Sequence, residues 1–495
     1  DPSHFASSSM TARSTAGTAR SQLASWRRTQ DQDGLVAKEA HDLYCWGFGG
    51  LGQLGNEAFR DEVQPYLVLK LRGYGGTLLV SCGFDHTCVV SGDLRARGWG
   101  RAQEGQLGVP PEECVESPAG VAAALEPSLP HFCRGEKPVS VQAISAGGMH
   151  AALLSLPRTT HDEPRVYTMG RSLEGQLGRD TAPEAAAEAA ATAQRLGTGS
   201  AAVEQESFRA ALKRREKQEK SAAQSHLQLP PKRVPVLVAC GGLHSALVTE
   251  HGQLYTWGHS GHGQTGQSTR EVIATPRRLP STAWEGRAAK EAPRPVIVSA
   301  AEEGGRTFKL KGHPGTPLQV SCLACGYYHT AACTVEGELF CWGKNSDGQL
   351  GLGDLHDRGF PHLLGGFGGE LLLQVGCGGR HTLALTQRGV PWSFGCNGHR
   401  QLGRSDAHGE GALEPRPVSA LSATRVVQVA CGGAHSVALA EDGSCHAWGK
   451  NQNGQLGLGH AELVEAPTLV ALLPRRAAWV ACGGAHTAVL VRLPE

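Results

Sequence analysis

Between residues 426 and 449 short apolar runs alternate with glycine turns. "VVQVACGG" is followed by "HSVALA", then by Glu441-Asp442-Gly443, then by "SCHAWG". Runs this short, rich in Val and Ala and bounded by glycine, predict β-strands, and the Asp-Gly pair predicts a tight hairpin between the second and third. The same hairpin recurs at Glu250-His251-Gly252 and at Val335-Glu336-Gly337, where glycine supplies a positive φ. No stretch shows the wide apolar stripe of a core-facing helix. None approaches eighteen consecutive apolar residues, so no membrane insertion is expected.

Two motifs repeat through the chain. The first, a Trp-Gly followed by Gly-Gln-Leu-Gly, begins at residues 46, 99, 169, 257, 342, 394 and 448, with Met169 and Phe394 replacing the tryptophan. The second, Cys-Gly-x-x-His-Ser/Thr, carries His86, His150, His244, His329, His381, His435 and His486; its second copy reads "AGGMHA". The last four histidines are spaced by 52, 54 and 51 residues. Self-similarity at a period of about fifty marks a repeat architecture.

The repeat disposes of a tempting local match. Gly47-Phe48-Gly49-Gly50-Leu51-Gly52 fits the glycine pattern of a dinucleotide-binding loop, but its inner glycines are not kept in the other copies and no helical period follows. A cofactor loop occurs once per site, so the tract is structural. No cofactor is expected.

Proline completes the unit. Pro65, Pro118, Pro276, Pro361 and Pro467 each lie ten residues beyond the last glycine of the tract, and Pro415 twelve beyond. Proline cannot donate to a ladder, so its strand is expected at the outer edge. Each repeat therefore predicts a four-stranded antiparallel blade, and the series an all-β, seven-bladed β-propeller. The repeats start with a second half (Leu43 to Gly55) and finish with a first half (Val480 to Val491). Pairing of these two is expected to complete one blade.

Repeats of this form resemble those of the regulator of chromosome condensation, a seven-bladed propeller family, over roughly residues 42–491. The resemblance implies a range of roles: exchange factor for the GTPase Ran, ultraviolet-B photoreceptor, propellers joined to kinases or ubiquitin ligases, and scaffolds in large assemblies. Two of these fit poorly. The Ran exchange factor carries a Phe-Arg-Asp wedge in an early tract, whereas residues 99–108 are an ordinary repeat and Phe59-Arg60-Asp61 lies beyond the first tract. The photoreceptor places tryptophans in the variable positions of Gly-x-x-His, and this chain has none there.

Composition adds limits. A formal net charge of +1 offers no overall case for nucleic acid or an anionic surface. Fifteen cysteines, an odd count at strand-like positions, read as free thiols of a reducing compartment. Cys322 and Cys325 form a lone C-x-x-C, and His251, His259 and His262 stand close together, but neither set has the spacing of a zinc site, and no metal is expected. No Ser/His/Asp or Cys/His set stands apart from the repeat, so the chain is read as a non-enzyme. Residues 1–41, with Arg13, Arg20, Arg27 and Arg28 and no acidic residue from Pro2 to Gln30, read equally as an organelle targeting remnant, with a mitochondrial location, or as a disordered extension of a cytoplasmic or nuclear protein. Residues 492–495 form a tail.

In a repeat fold, function lies in the departures. Inserts are expected near 119–138, 179–232 and 279–318. The longest contains "SFRAALKRREKQEKSAAQ", whose strong helix formers predict an arm. Phe208 and Leu212 would supply its apolar patch, and Lys213, Arg214, Arg215, Lys217 and Lys220 would meet acidic protein or RNA. The seven phased histidines are read as structural, their ring nitrogens satisfying backbone groups between blades. The functional expectation is a scaffold holding other proteins in a multi-subunit complex, with exchange on a small GTPase as the alternative.

Overall fold

The computed structural model describes residues 40–109, 113–134, 138–157, 162–179, 226–231, 233–280, 319–405 and 411–493. Among them the chain is all β, with 3-10 turns at Leu69–Tyr74, His131–Cys133 and Ser419–Leu421. Four sheets are four-stranded and antiparallel: Pro235–Arg278, Val320–Leu364, Leu372–Pro417 and Val426–Leu469, each with its strands in chain order. Val141–Ala146, His150–Ser155 and Val166–Gly170 form a three-stranded sheet, bridged at Tyr167 to His226. The remaining strands fall into two antiparallel groups joined through one residue pair, His41 and Thr77. One runs from Thr77–Cys82 through His86–Ser91 and Ala96–Arg101 to Ala122–Ser128. The other unites the two ends of the sequence.

In that last group His41–Gly47 lies antiparallel to His486–Arg492, in register from His41 opposite Arg492 to Gly47 opposite His486. Ala477–Cys482 flanks the pair on one side and Glu62–Leu67 on the other. Each segment alone would leave ladder groups unpaired on both sides; together they satisfy one another. Arg72 locks the start of the first strand through two bonds to the buried Asp42 carboxylate, at 2.8 and 2.6 Å.

The proline expectation holds with one correction. Pro65, Pro276, Pro361, Pro415 and Pro467 all lie in fourth strands, each just before the residue at which pairing to the third strand shifts register. A bulge there removes the need for the N–H that proline lacks. Pro118 does not take this place. It lies in the turn of a small added hairpin, Val115–Glu116 with Ala122–Ala123, and the residue at the register shift is Pro127. The extra chain near this blade thus begins before the outer strand rather than after it, and the sequence spacing to Pro118 was coincidental.

Packing follows the period. The second strand of each sheet is wholly buried. Its alternate side chains enter the apolar clusters on either side; Ala331 and Cys333 join one cluster, Ala332 another. Trp46, Trp99, Trp257, Trp342 and Trp448 are fully buried between neighbouring sheets. The closing glycine of the preceding tract lies flat on each indole: at Gly55, φ +66°, a Cβ would stand 2.8 Å from the Trp99 ring nitrogen. All fifteen cysteines are free thiols, most of them buried among these contacts.

Candidate partner-binding face

The Cys-Gly-x segments of the repeats, from Cys82–Phe84 round to Cys482–Gly484, with Ala146, Gly147 and Gly148 in the second, line one central cavity that opens to solvent. A belt of six backbone bonds runs round it, with none between Tyr327 and Gly378 among the described residues. Phe84 donates to Gly147, Gly148 to Gly241, Gly242 to Gly326, Gly379 to Gly432, Gly433 to Gly483, and Gly484 back to Gly83, all at 2.9–3.2 Å. The approach leaves no room for a side chain at the first glycine of each segment. A Cβ on Gly483 would lie 2.2 Å from the His486 ring and 2.5 Å from the Gly83 carbonyl.

Behind the belt all seven histidines are fully buried, and six of them latch two sheets. Nε2 of His150, His244, His329, His381, His435 and His486 lies 2.8–3.0 Å from the hydroxyl of Ser245, Thr330, Thr382, Ser436, Thr487 and Thr87 respectively. Each hydroxyl donates its proton to a tract carbonyl, such as Thr330 to Gln264 at 2.8 Å. It therefore accepts from the imidazole, which carries its proton on Nε2. The same carbonyls receive the buried indoles, as Trp342 Nε1 reaches Gln264 at 3.0 Å. The sequence reading is corrected in one respect: the partner is a neighbour's hydroxyl, not backbone. The signal was available, because Ser or Thr follows the histidine in every copy but one. Burial holds all seven rings neutral, pushing His86 and His244 down to about 3 and His150 and His381 to about 4.

The variable residues of Gly-x-x-His are carried to the surface around the cavity mouth. The carbonyl of the second accepts the N–H of the residue after Trp-Gly in every repeat: Asp85 from Arg101, Met149 from Arg171, Leu243 from His259, Tyr328 from Lys344, Arg380 from Cys396, Ala434 from Lys450 and Ala485 from Phe48. This bond juxtaposes side chains distant in sequence. Phe84 and Tyr327 meet across the mouth, ring centroids 5.3 Å apart, with Phe84 41% exposed. Lys344 Nζ stands 5.4 Å from the Tyr328 ring, whose edge faces His262 at 5.5 Å. Arg380 pairs with Asp347 at 3.0 Å. Burial raises the Asp85 carboxyl against the opposing pull of Arg101, 3.8 Å away. Sequence reasoning passed over Phe84, Tyr327 and Tyr328 because only the fold shows that they share one rim.

Other sequence candidates disperse. His262 Nδ1 bonds Asp357 at 2.8 Å, His259 Nδ1 bonds the Gln264 side chain at 2.8 Å, and His251 pairs with Glu250 in a turn. No group of three or more metal-ligating side chains converges among the described residues. Cys322 lies opposite Cys333 across the strand pair, whereas Cys325 Sγ points to the Ala239 carbonyl. Asp61 is no wedge: its carboxylate accepts from Gly49 N–H at 2.9 Å and Asn453 at 3.0 Å, stapling the first tract to the last. Phe208, Leu212, Lys213, Arg214, Arg215, Lys217 and Lys220 lie outside the described residues, as does the span 281–318.

Comparison with known proteins places the chain in a propeller class. The RCC1-like domain matches residues 121–489 and the regulator of chromosome condensation (RCC1) repeat matches 41–90, and the chain belongs to this family. It is similar to the ultraviolet-B receptor UVR8 of Arabidopsis thaliana, 28% identical over 440 residues, 88% of this chain and 80% of that protein. It is 35% identical over 265 residues to the mitochondrial RCC1 domain-containing protein RUG3 of the same plant, spanning about half of each chain (51%). Among solved structures it shares the fold of Prp20p from Saccharomyces cerevisiae, TM-score 0.66 and 20% identity, covering 95% of both chains; that protein was described with its binding to Gsp1p and histones.

Proposed function

We propose that this protein is a non-catalytic interaction propeller, a subunit or adaptor that docks a protein partner on the rim around its central cavity. The ring is read as seven blades, closed where His41–Gly47 pairs with His486–Arg492. The observation that carries the docking surface is the exposed Phe84 stacked on Tyr327, flanked by Tyr328, Lys344 and Arg380. Aromatic and arginine side chains held in place by a rigid frame are the usual energetic centres of protein interfaces. The buried histidines are engaged in latching sheets or sealed from solvent, which argues against acid–base chemistry there.

Location in an organelle draws support from the arginine-containing, acid-free segment from Pro2 to Gln30 and from the mitochondrial relative RUG3. The arm of residues 208–220 remains the second candidate contact, toward acidic protein or RNA. The test compares partners co-purifying with the full chain, with Phe84→Ala/Tyr328→Ala, and with a deletion of 181–228. Loss of the same partner in the double variant, at unchanged thermal stability, supports the rim; loss only in the deletion moves the site to the arm. Unchanged recovery in both would refute the reading.

A further inference from the structure

One junction lacks the latch that the others share. His86 is fully buried, and among the described residues neither of its ring nitrogens has a hydrogen-bond partner. The cause lies in the next repeat. At the position where the other copies place Ser or Thr, this chain has Ala151, itself fully buried. The second donor is lost at the same place. Met169 pairs with Ala151 as Trp257 pairs with Ser245, and its sulfur lies against Gly108 as the indoles lie against theirs, but it has no N–H to offer. The carbonyl of Gln106, counterpart of Gln53 and Gln264, thus receives neither the hydroxyl nor the indole that those two receive. Phe394 also lacks an indole, but there Thr382 still donates to Gln349.

What remains at this junction is distributed unevenly. Among the described residues, directional ties are left only along the inner strand Val141–Ala146: Phe84 N–H to Gly147 at 3.0 Å, Ala146 N–H to Ser81 Oγ at 2.9 Å, and Val141 N–H to the Leu94 carbonyl at 2.7 Å. Farther out, the apolar cluster of Cys88, Val90, Ala151, Leu153 and Met169 fills the space between the sheets. That contact is non-directional, and it encloses an imidazole whose polar groups have been stripped of water without replacement.

We propose that the ring gives way first at this junction, the sheet Val141–Gly170 parting from the sheet Thr77–Ser128 about their inner edge. A fold whose other junctions carry a directional latch opens where the latch is missing, and local opening draws on the least stable contact.

Hydrogen exchange of the full-length protein tests this. Val141–Ala146 and His150–Ser155 should exchange roughly tenfold faster than Val320–Cys325 and His329–Thr334, the ratio expected for the loss of one to two net hydrogen bonds. Ala151→Ser should slow the first pair of strands roughly tenfold, since serine already serves at 245 and 436. Thr382→Ala should reproduce the seam elsewhere, because Phe394 already lacks the indole, and should speed exchange in Leu372–Cys377 and His381–Thr386 by a similar factor. Equal exchange at the two natural junctions overturns the proposal, as does an Ala151→Ser protein that exchanges like the parent. Should that variant not fold, Thr382→Ala decides: unaltered exchange around residue 382 refutes the latch as the controlling contact.

Discussion

Replacing Thr330 by valine keeps the shape of a fully buried side chain and removes only its hydroxyl. That hydroxyl donates to the Gln264 carbonyl at 2.8 Å and accepts from His244 Nε2 at 2.8 Å. The bond to the Gln264 carbonyl is worth about 1 kcal/mol net, and leaving the imidazole N–H buried without an acceptor costs about 1–3 kcal/mol, so the total loss is about 2–4 kcal/mol. With an unfolding entropy near 2.1 cal/mol/K per residue over the roughly 350 described residues, the midpoint should fall by about 3–5 °C. Trp342→Phe removes the second donor to the same carbonyl and should cost about 1 kcal/mol while Thr330 remains. The double variant should lose more than the sum, because only then is the carbonyl stripped of both partners. Calorimetry on these variants, with the exposed Thr468→Val as control, measures each term. A Thr330→Val midpoint no lower than that of the control would refute the latch as a source of stability.

Three further outcomes follow from the same geometry. Acid should destabilise the fold from about pH 6.5 downward. The buried histidines titrate at about 3–4 in the folded state against 6.5 when unfolded, so in that window the unfolded chain binds more protons and stability is lost as pH falls. Each histidine should contribute about 1.4 kcal/mol per pH unit, read from denaturant titrations across pH, and a flat profile would contradict their burial as neutral rings. Gly483→Ala should abolish folded yield, since its Cβ would meet the His486 ring and the Gly83 carbonyl, whereas Gly73→Ala, with nothing within 4 Å, should express like the parent. The purified chain should not speed nucleotide release from Ran in a fluorescent-nucleotide assay; stimulation of several orders of magnitude would favour the exchange-factor reading.

The parts of the fold written in local chemistry were legible in the sequence. Glycine at the hairpins, proline at the outer strands and the phased Trp-Gly and Gly-x-x-His motifs each report a constraint felt within a few residues. Even the pairing of the two ends followed, because half a unit at each end leaves edges that must be covered. What escaped depends on contacts between repeats. Pro118 and Pro127 compete for one bulge, and spacing alone chose the wrong one. Phe84 and Tyr327 are separated by several repeats and meet only across the axis. The missing latch at His86 was visible as an alanine in "AGGMHA", yet it acquires meaning only once the histidine's partner is known to be a hydroxyl on the neighbouring sheet.

The central claim is that the two ends of the sequence seal one ring, and amide exchange in His41–Gly47 measures this most directly. In the full-length chain these amides should be as protected as those of His435–Ala440, and truncation before His486 should release them while leaving Val426–Leu469 protected. Rapid exchange of His41–Gly47 in the intact chain, or protection that survives the truncation, would contradict the account.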